Sequence, residues 1–476
     1  MKTKIFFTGI FILLLTNSVF SQIGSADEYS LNLVGRMWFE SDIHPWNDTT
    51  GGSDCWGYTS PEGDEYAIMG VMEGIAFVKV PEMQLITVLP GPVNNDYYYH
   101  RDIKTYKHYA YAVAEMYGTN EGLMIMDLQY LPDSVVFIGS YVYGSDIRSH
   151  NLSIDTAKGF AYVLDQQYLG FRIIDLADPE NPAEAGFVNT GNIHDVFARN
   201  DTVYVAEGYN GSYSIWDLSD KQNPQMIVRF SPPASGYAHN IWASDDGKFV
   251  MTTEETNGKT VKLWDISDIE NPDLRGQYLG EDNIAHNTHL KGTLAFISHY
   301  ASGVVVVDFS NPDSLKEIAR YDTYGAVAQG DFYGNWGAFP FTGNDYVYAS
   351  DLEGYLTVLK FEKVTTTGIQ SAGNPEGFYL EQNYPNPFNP TTTIRFTIPA
   401  QTDNFREGYQ VKLEVFDVLG NKVATLVNEE KFPGIYQIEF NASGLSSGVY
   451  YYKLTFSYSD KKTGGMVLSR SMLLLK

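Results

Sequence analysis

Four histidines in this chain of 476 residues stand directly before an asparagine or an aspartate, at intervals of 44 to 47 residues. Three further dipeptides keep the Asp or Asn without the His. Imidazole nitrogens bind transition metals, and carboxylate and amide oxygens bind calcium. The seven dipeptides are therefore a candidate site for a metal or a polar ligand: Ser53-Asp54, Arg101-Asp102, His150-Asn151, His194-Asp195, His239-Asn240, His286-Asn287 and Gly334-Asn335.

An internal repeat indicates which elements position these dipeptides. Seven apolar segments share one pattern: GIAFVKV, GLMIMDL, GFRIIDL, SYSIWDL, TVKLWDI, GVVVVDF and GYLTVLK. Their sixth residues are 42 to 51 residues apart: Lys79, Asp127, Asp175, Asp217, Asp265, Asp308 and Leu359. Short β-branched and aromatic runs bounded by Gly, Pro, Asn and Asp predict strands. Four such strands per repeat of about 47 residues predict an all-β fold, a seven-bladed β-propeller.

The candidate dipeptides fall at the start of the innermost strand of each repeat, so they form rings near one mouth of the central channel. One interpretation is that they hold a divalent cation or a polar ligand there. The other is that each Asp or Asn bonds the backbone of the next blade and each His packs between blades, which sets the register of the repeat. Adjacent residues of a regular strand point to opposite faces, so both rings cannot reach one ligand while the strand is regular. Four ligands from separate blades would also have to come within about 2.0 to 2.1 Å of one zinc ion.

The seventh repeat lacks an outer strand of its own, because the chain runs from Leu359 into a Gly, Ser and Thr-rich segment. The segment LNLVGRMWF, residues 31–39, alternates like the outer strands of the other six repeats. We expect it to complete blade seven and to close the ring, which removes an open sheet edge. Five tryptophans could stack on sugars, but because most fall within strands we expect them in the blade cores: Trp56, Trp216, Trp242, Trp264 and Trp336. Cys55 is expected as a buried thiol.

The two ends of the chain differ in sequence from the repeats between them. Lys2 and Lys4 precede a short apolar run and a small-residue pattern, which predicts a signal peptide over residues 1–21, cleaved between Ser21 and Gln22. The propeller is predicted over 22–365, a linker over 366–378, and a second domain over 379–476. No transmembrane segment is predicted in the mature chain.

The charge of the chain lies almost entirely in the propeller. The chain has 58 acidic and 32 basic residues, and residues 368–476 contain ten of each. Phosphate-bearing partners need positive charge on the protein, so the excess of carboxylates argues against binding of nucleic acid or of an anionic membrane.

The repeat segments GLMIMDL, GFRIIDL and GVVVVDF, with their His-Asp/Asn strands, resemble the LVIVD-repeat propellers. More narrowly, EYAIMGVMEGIAFVKV and GNWGAFPFTGNDYVYASDLEGYLTVLKF look like the choice-of-anchor B family, whose members are secreted or surface propellers. The resemblance implies an extracellular or outer-surface location, and it supplies no catalytic residues.

Residues 379–476 read as a small Ig-like β-sandwich, because TTIRFTI and VKLEVFDV alternate between Gly and Pro turns. They resemble the type A sorting domain of the type IX (Por) secretion system. The resemblance implies passage through the periplasm and recognition by the outer-membrane translocon and its sorting peptidase. It is carried by LSSGVYYYKL and by a proline-rich motif with a terminal strand: Tyr384, Pro385, Asn386, Pro387, Phe388, Asn389, Pro390 and Lys476.

Together these features predict a secreted or cell-surface propeller that binds or scaffolds an extracellular protein or glycan. The alternative is an extracellular hydrolase or lyase with a His/Asp or metal site at the channel mouth. Sequence motifs of hydrolases and phosphate-binding loops are not found in the chain.

Overall fold

The computed structural model describes residues 29–39, 51–93, 100–143, 148–165, 169–324, 332–363, 379–380, 382–383, 385–398, 409–431, 434–458 and 466–476. The predicted signal peptide with its Ser21–Gln22 cleavage site, the linker over 366–378 and Tyr384 lie outside these ranges. The described residues form strands and turns. Nothing in these ranges forms a helix of the length and apolarity that a membrane crossing requires.

Seven four-stranded antiparallel sheets form the propeller, which confirms the predicted fold class. In each of blades 1 to 6 the strands follow one another in chain order. Blade 1 contains β2 (Gly52–Thr59), β3 (Glu65–Val71), β4 (Gly74–Val80) and β5 (Gln84–Pro90); blade 2 contains β6 (Arg101–Tyr106), β7 (Tyr109–Ala114), β8 (Leu123–Asp127) and β9 (Val136–Tyr141). Blade 3 contains β10 (Leu152–Asp155), β11 (Phe160–Leu164), β12 (Gly170–Asp175) and β13 (Ala183–Asn189); blade 4 contains β14 (Asp195–Arg199), β15 (Thr202–Ala206), β16 (Tyr213–Asp217) and β17 (Gln225–Phe230).

The remaining blades follow the same plan until the ring closes. Blade 5 contains β18 (Ala238–Ala243), β19 (Phe249–Glu254), β20 (Val261–Asp265) and β21 (Asp273–Tyr278); blade 6 contains β22 (Asn287–Lys291), β23 (Leu294–Ser298), β24 (Val304–Asp308) and β25 (Lys316–Tyr321). Blade 7 contains β26 (Asn335–Phe339), β27 (Tyr346–Asp351) and β28 (Tyr355–Lys363), with β1 (Tyr29–Trp38) as its outer strand.

The repeated aspartate at the end of the third strand shapes the turn that follows it. The carboxylate of Asp175 accepts the backbone N–H of Ala177 at 2.8 Å, and Asp217 accepts that of Ser219 at 2.8 Å. Such Asx turns favour a tight reversal into the outer strand. In blade 1 the corresponding Lys79 instead contacts Asp64, with 3.2 Å between Nζ and Oδ2, so this turn is built differently.

The blades pack on one another through the apolar residues of their inner and middle strands. Cys55 of β2 is fully buried, and its Sγ lies 3.3 Å from the carbonyl oxygen of Tyr348 in blade 7. The expectation of a buried thiol at Cys55 is confirmed. Burial raises the pKa of this thiol well above its usual value, so the cysteine is a core residue of the blade 1 and blade 7 interface.

Blade 7 is assembled from both ends of the propeller. β1 pairs antiparallel with β28, so that Leu31 lies opposite Phe361 and Trp38 lies opposite Tyr355. Arg36 reinforces the pairing, because its guanidinium donates at 2.8 Å to the buried carboxylate of Asp351. The strand that precedes the first repeat thus supplies the outer strand that the seventh repeat lacks.

The C-terminal residues form two further sheets. One contains β29 (Tyr379–Leu380), β30 (Thr391–Ile398) and β33 (Gly434–Asn441), and the other contains β31 (Tyr409–Phe416), β32 (Lys422–Lys431), β34 (Gly448–Tyr458) and β35 (Met466–Leu474). Residues of both sheets share one hydrophobic core.

The proline-rich motif of this domain is bonded to the terminal strand. The N–H of Phe388 donates to the carbonyl of Leu473 at 3.0 Å, and the carbonyl of Phe388 accepts from Leu475 at 3.0 Å. The side chain of Asn386 accepts the N–H of Leu473 at 2.8 Å. At the end of the chain, the Lys476 ammonium donates to the carbonyl of Ser443 at 2.6 Å. The motif and the last residues therefore form one structural unit.

Candidate functional site

Five imidazoles and one indole form a closed ring at one mouth of the channel, which we call the histidine mouth. Each ring belongs to a different blade, from blade 2 to blade 7. Neighbouring ring centroids are 3.9 to 5.2 Å apart, in the order His100, His150, His194, His239, His286, Trp336 and back to His100.

Three of these histidines are held by the backbone of the next blade. The Nδ1 atom of His194 lies 3.0 Å from the carbonyl oxygen of His239, and Nδ1 of His239 lies 3.0 Å from that of His286. Nδ1 of His286 lies 2.6 Å from the carbonyl oxygen of Trp336. A carbonyl oxygen only accepts, so each Nδ1 carries the hydrogen. The Nε2 atom of each ring then has a lone pair.

The Asp and Asn members of the dipeptides also join neighbouring blades. Asp102 accepts the backbone N–H of Leu152 at 2.6 Å, Asn151 accepts that of Val196 at 3.2 Å, and Asn240 accepts that of Thr288 at 3.1 Å. Asn240 also donates to Asp195 at 2.6 Å. These bonds fix how far each inner strand is offset from the next.

Both members of four of the dipeptides reach the same small cavity, of about 30 Å³. Regular strand alternation would separate them, but His194 and His286 precede their strands and His239 sits at a bulge of β18. Asp54, Asp102, Asn151, Asp195 and Asn287 line the cavity with the histidines. Such a volume accommodates an ion or one or two water molecules.

Two of the candidate residues are occupied with the backbone. Arg101 is 2% exposed, and its guanidinium donates to the carbonyl oxygens of Val71, Met72 and Pro92 at 2.7 to 2.8 Å. The amide of Asn335 donates to the carbonyl oxygens of Gly337 and Ser350 at 3.0 Å. The guanidinium of Arg101 therefore joins blade 2 to the backbone of blade 1. In the ring of side chains at the histidine mouth, His100 occupies the position that the alignment assigned to Arg101.

Burial controls the protonation of the ring. It lowers the pKa of His239 to about 3 and that of His100 to about 4, and it lowers those of His194 and His286. Burial also acts to lower the pKa of His150, but the charge and the hydrogen bond of Glu115, 3.2 Å away, together with the charges of Asp195 and Asp102, outweigh it and raise the pKa to about 9. The ring therefore contains one imidazolium among neutral imidazoles at pH 7.

The opposite mouth of the channel holds a much larger cavity, of about 640 Å³, which we call the aromatic mouth. Alternate residues of a strand point to the same side, so the residues two and four positions after the Asp or Asn of each inner strand also face the channel. Several of these residues line the large cavity. The second places include Trp56, Lys104, Ser153, Phe197 and Trp242, and the fourth places include Tyr58, Tyr106, Asp155 and Arg199.

The aromatic residues of this mouth contact one another. The Trp242 ring lies 4.1 Å from Phe197 and stacks on Phe341 at 5.7 Å between centroids. Among the described residues, the buried indole N–H of Trp242 has no hydrogen-bond partner. The expectation that the tryptophans lie in the blade cores holds for Trp264, which is 4% exposed, but Trp56 and Trp242 line the cavity because they lie on inner strands.

A buried lysine connects the two mouths. Lys104 contacts Asp102, its Nζ lies 3.4 Å from Asp54 Oδ2, and it lies 4.4 Å from the centroid of the Trp56 ring. Burial raises the pKa of Asp54 well above its usual value, against the opposing charge of Lys104. Lys104 thus compensates carboxylates of the histidine mouth while its stem lines the aromatic mouth.

Sequence reasoning missed four residues of the histidine mouth. His100 and Trp336 lie one position before and one position after their aligned dipeptides, so a search that allowed a shift of one residue would find them. Glu115 and Glu255 follow the second strands of blades 2 and 5, and no repeat pattern points to them.

The fold and the two mouths define a seven-bladed β-propeller with a small and a large cavity on its channel. The LVIVD repeat model matches residues 153–190 and 284–323, and the model of the secretion system C-terminal sorting domain matches residues 382–467. The chain therefore contains LVIVD repeats in its propeller and a C-terminal sorting domain of the type IX system, and that domain indicates export to the cell surface or the extracellular space. No curated protein matches the chain.

Among solved structures, the chain is similar to the crystal structure of RRP9 WD40 repeats. The two are 11% identical with a TM-score of 0.50, and the match covers 70% of this chain and all of that one. At this identity the likeness shows the propeller fold alone.

Proposed function

We propose that the protein is an extracellular carbohydrate-binding propeller, and that the aromatic mouth is its ligand site. The observation that carries the proposal is a cavity of about 640 Å³ lined by aromatic rings and polar side chains. Ligand pockets of proteins are typically about 300 to 1,000 Å³ and combine apolar walls with a few placed polar groups.

The chemistry of the lining suits a sugar. A pyranose has apolar C–H faces, which pack on aromatic rings such as Trp242 and Phe341, and a rim of hydroxyls that need hydrogen bonds. The N–H of Trp242 is buried in the wall, so Trp242 offers a sugar its ring face. Arg199 is a donor at the rim, where it already donates to the carbonyl of Ser244 at 2.8 Å.

The shape of the site favours a glycan over a folded protein. A standard protein–protein interface buries roughly 800 Å² on each partner and needs a broad surface. The aromatic mouth is instead a recess on the channel axis, which admits the end of an oligosaccharide. Recognition at the cell surface or outside it also agrees with the export that the sorting domain indicates.

Removal of the signal peptide between Ser21 and Gln22 and membership of the choice-of-anchor B family are part of the proposal. So is processing by the sorting peptidase, which would separate the propeller from the domain over 379–476. These steps deliver the propeller, and they do not depend on which sugar it binds.

The test is calorimetric titration of the purified protein with neutral oligosaccharides, namely cello-, xylo-, manno- and chito-oligomers. We expect one series to bind, and we expect Trp242→Phe to weaken that binding about five- to tenfold because part of the ring face is lost. Phe341→Ala is the second variant, since Phe341 is only partly buried.

Trp264→Phe is the matched control, because Trp264 lies in blade 5 away from the cavity lining. It should change the stability without changing the affinity. Failure of every oligosaccharide to bind, or unchanged affinity in both Trp242→Phe and Phe341→Ala, would overturn the proposal.

A further inference from the structure

Blades 5 and 6 bring two histidines and a glutamate together at the histidine mouth. His239 and His286 are each 2% exposed, and their ring centroids are 4.4 Å apart. The Oε1 atom of Glu255 lies 3.6 Å from Nε2 of His239. One ligand atom from each of the three residues lies within 4.8 Å of the other two.

The hydrogen bonds of the two imidazoles orient them as metal ligands. In both rings Nδ1 faces a backbone carbonyl oxygen, at 3.0 Å for His239 and 2.6 Å for His286. A ring N–H that is bonded to a carbonyl fixes the tautomer and directs the Nε2 lone pair elsewhere, which is the usual outer contact of metal-binding histidines. The carboxylate of Glu255 is likewise held, because the Tyr300 hydroxyl donates to it.

A buried lone pair at this position has no partner in the described part of the chain. The Nε2 atom of His286 is inaccessible to solvent and makes no hydrogen bond there. Leaving such an atom unsatisfied costs about 1 to 3 kcal/mol, so a group that binds it is favoured. The adjoining cavity of about 30 Å³ is large enough for an ion and one water molecule.

We propose that His239, His286 and Glu255 form a binding site for a divalent first-row transition metal, with zinc as the ion to be tested. Two imidazoles and one carboxylate suit such ions, whereas calcium takes six to eight oxygen ligands. Ligand atoms of a tetrahedral zinc site are about 3.4 Å apart. The Glu255 oxygen lies 3.6 Å from Nε2 of His239, and the three ligand atoms lie within 4.8 Å of one another. Zinc binding therefore requires the longer of these separations to shorten. The site is independent of the proposed sugar site, which lies at the other mouth.

A similar cluster in blades 2 and 3 provides an internal comparison. His100, Glu115 and His150 also have ligand atoms within 4.8 Å of one another. There, however, Nδ1 of His150 contacts Glu115 directly at 3.2 Å, and all three residues are only partly buried. The carboxylate and one imidazole form an ion pair with each other, which competes with metal binding.

The test uses the purified full chain, treated with a chelator and then titrated with zinc and, separately, with cobalt. We expect one ion per chain, a rise in the unfolding temperature with zinc, and visible absorption bands of cobalt in a nitrogen and oxygen environment. Glu255→Gln should weaken zinc binding by at least about tenfold, because a charged ligand becomes a neutral amide of the same shape.

The controls distinguish the two clusters and exclude a general effect of histidine. Glu115→Gln and His108→Ala, at the partly exposed His108, should bind zinc like the unaltered protein. If Glu255→Gln does not fold, Glu255→Asp keeps the charge, withdraws the carboxylate by one methylene, and should also bind less tightly. The proposal is wrong if no zinc binds, or if binding persists in the Glu255 variants, or if it is lost in Glu115→Gln.

Discussion

At the histidine mouth six rings from six blades close around a cavity of about 30 Å³, whereas the aromatic mouth opens into a cavity of about 640 Å³. Both are built from the same inner strands. The residue at the start of each strand is Asp or Asn in all seven repeats, and in Asp102, Asn151 and Asn240 it accepts a backbone N–H of the next blade. The residue two places on changes from blade to blade, from Trp56 to Lys104 to Ser153.

The difference separates what the repeat requires from what a ligand requires. The position whose side chain joins neighbouring blades is Asp or Asn all around the ring. The position two residues further on differs between blades, which gives the aromatic mouth an uneven wall with stacking surfaces and polar groups at particular places. Such an uneven wall is suited to one ligand in one orientation.

The largest expected effect tests the structural role of the histidine mouth. Arg101→Met removes the donors to three buried carbonyl oxygens. We expect the free energy of unfolding to fall by about 3 to 5 kcal/mol, as measured by denaturant titration. Arg199→Met at the aromatic mouth is the matched change and should cost about 1 kcal/mol or less, because Arg199 is partly exposed. Equal losses of unfolding free energy in the two variants would contradict the idea that the histidine mouth stabilises the propeller more than the aromatic mouth does.

The second largest expected effect is a loss of stability at low pH that comes from His289. Burial, and then the charge of Lys104, lower the pKa of His289 to about 3, below the unfolded value of about 6.5. Between these values the unfolded chain binds the proton, so the stability that the neutral ring contributes is present above about pH 6.5 and is lost as the pH falls toward 3.

His289→Gln removes this titration. Between pH 7 and pH 4 its free energy of unfolding should fall by about 3 kcal/mol less than that of the unaltered protein. Denaturant titrations at both pH values measure the difference, with His108→Ala as the control at a partly exposed histidine. Parallel losses in all three proteins would show that His289 does not titrate as the structure indicates.

The smallest effect tests one joint between blades. Asn240→Ala deletes the acceptor for Thr288 N–H and the donor to Asp195, and we expect a loss of about 1 to 2 kcal/mol. The matched change is Asn223→Ala at an exposed residue whose amide donates to Asp220 in its own turn, and it should cost less than about 0.5 kcal/mol. The affinity of the aromatic mouth for its sugar should stay the same in both variants. A change of affinity in Asn240→Ala would show that the two mouths are coupled.

The fold could be predicted from the sequence because each blade repeats the same physical demands. The apolar segment around Asp175 or Asp217 must be a buried strand that ends in an Asx turn, and its spacing gives the number of blades. The family of the repeat and the C-terminal sorting domain were likewise predicted from their motifs, and the comparisons confirm them.

The candidate site could be predicted only in part. The Asp/Asn ring is periodic, and it was found. The aromatic mouth follows from the same alternation two residues further on, but aromatic residues such as Trp242 were assigned to blade cores because composition alone does not distinguish a channel wall from a blade interior. Glu255 lies beside His239 because it follows the strand that pairs with β18, but it meets His286 of the next blade only because the blades are arranged in a ring, and neither periodicity nor spacing expresses that arrangement.

The pairing of β1 with β28 has a consequence for the order of events during synthesis. Tyr29 is among the first residues of the propeller to be made, and its partner Lys363 is the last residue of β28. A chain that stops anywhere before β28 therefore leaves β1 without its partner and an inner sheet open to proteases. Because the sorting domain follows β28, a chain that carries the export signal also carries every strand needed to close the ring. The order of the segments therefore ensures that a chain with a sorting domain also contains the complete propeller.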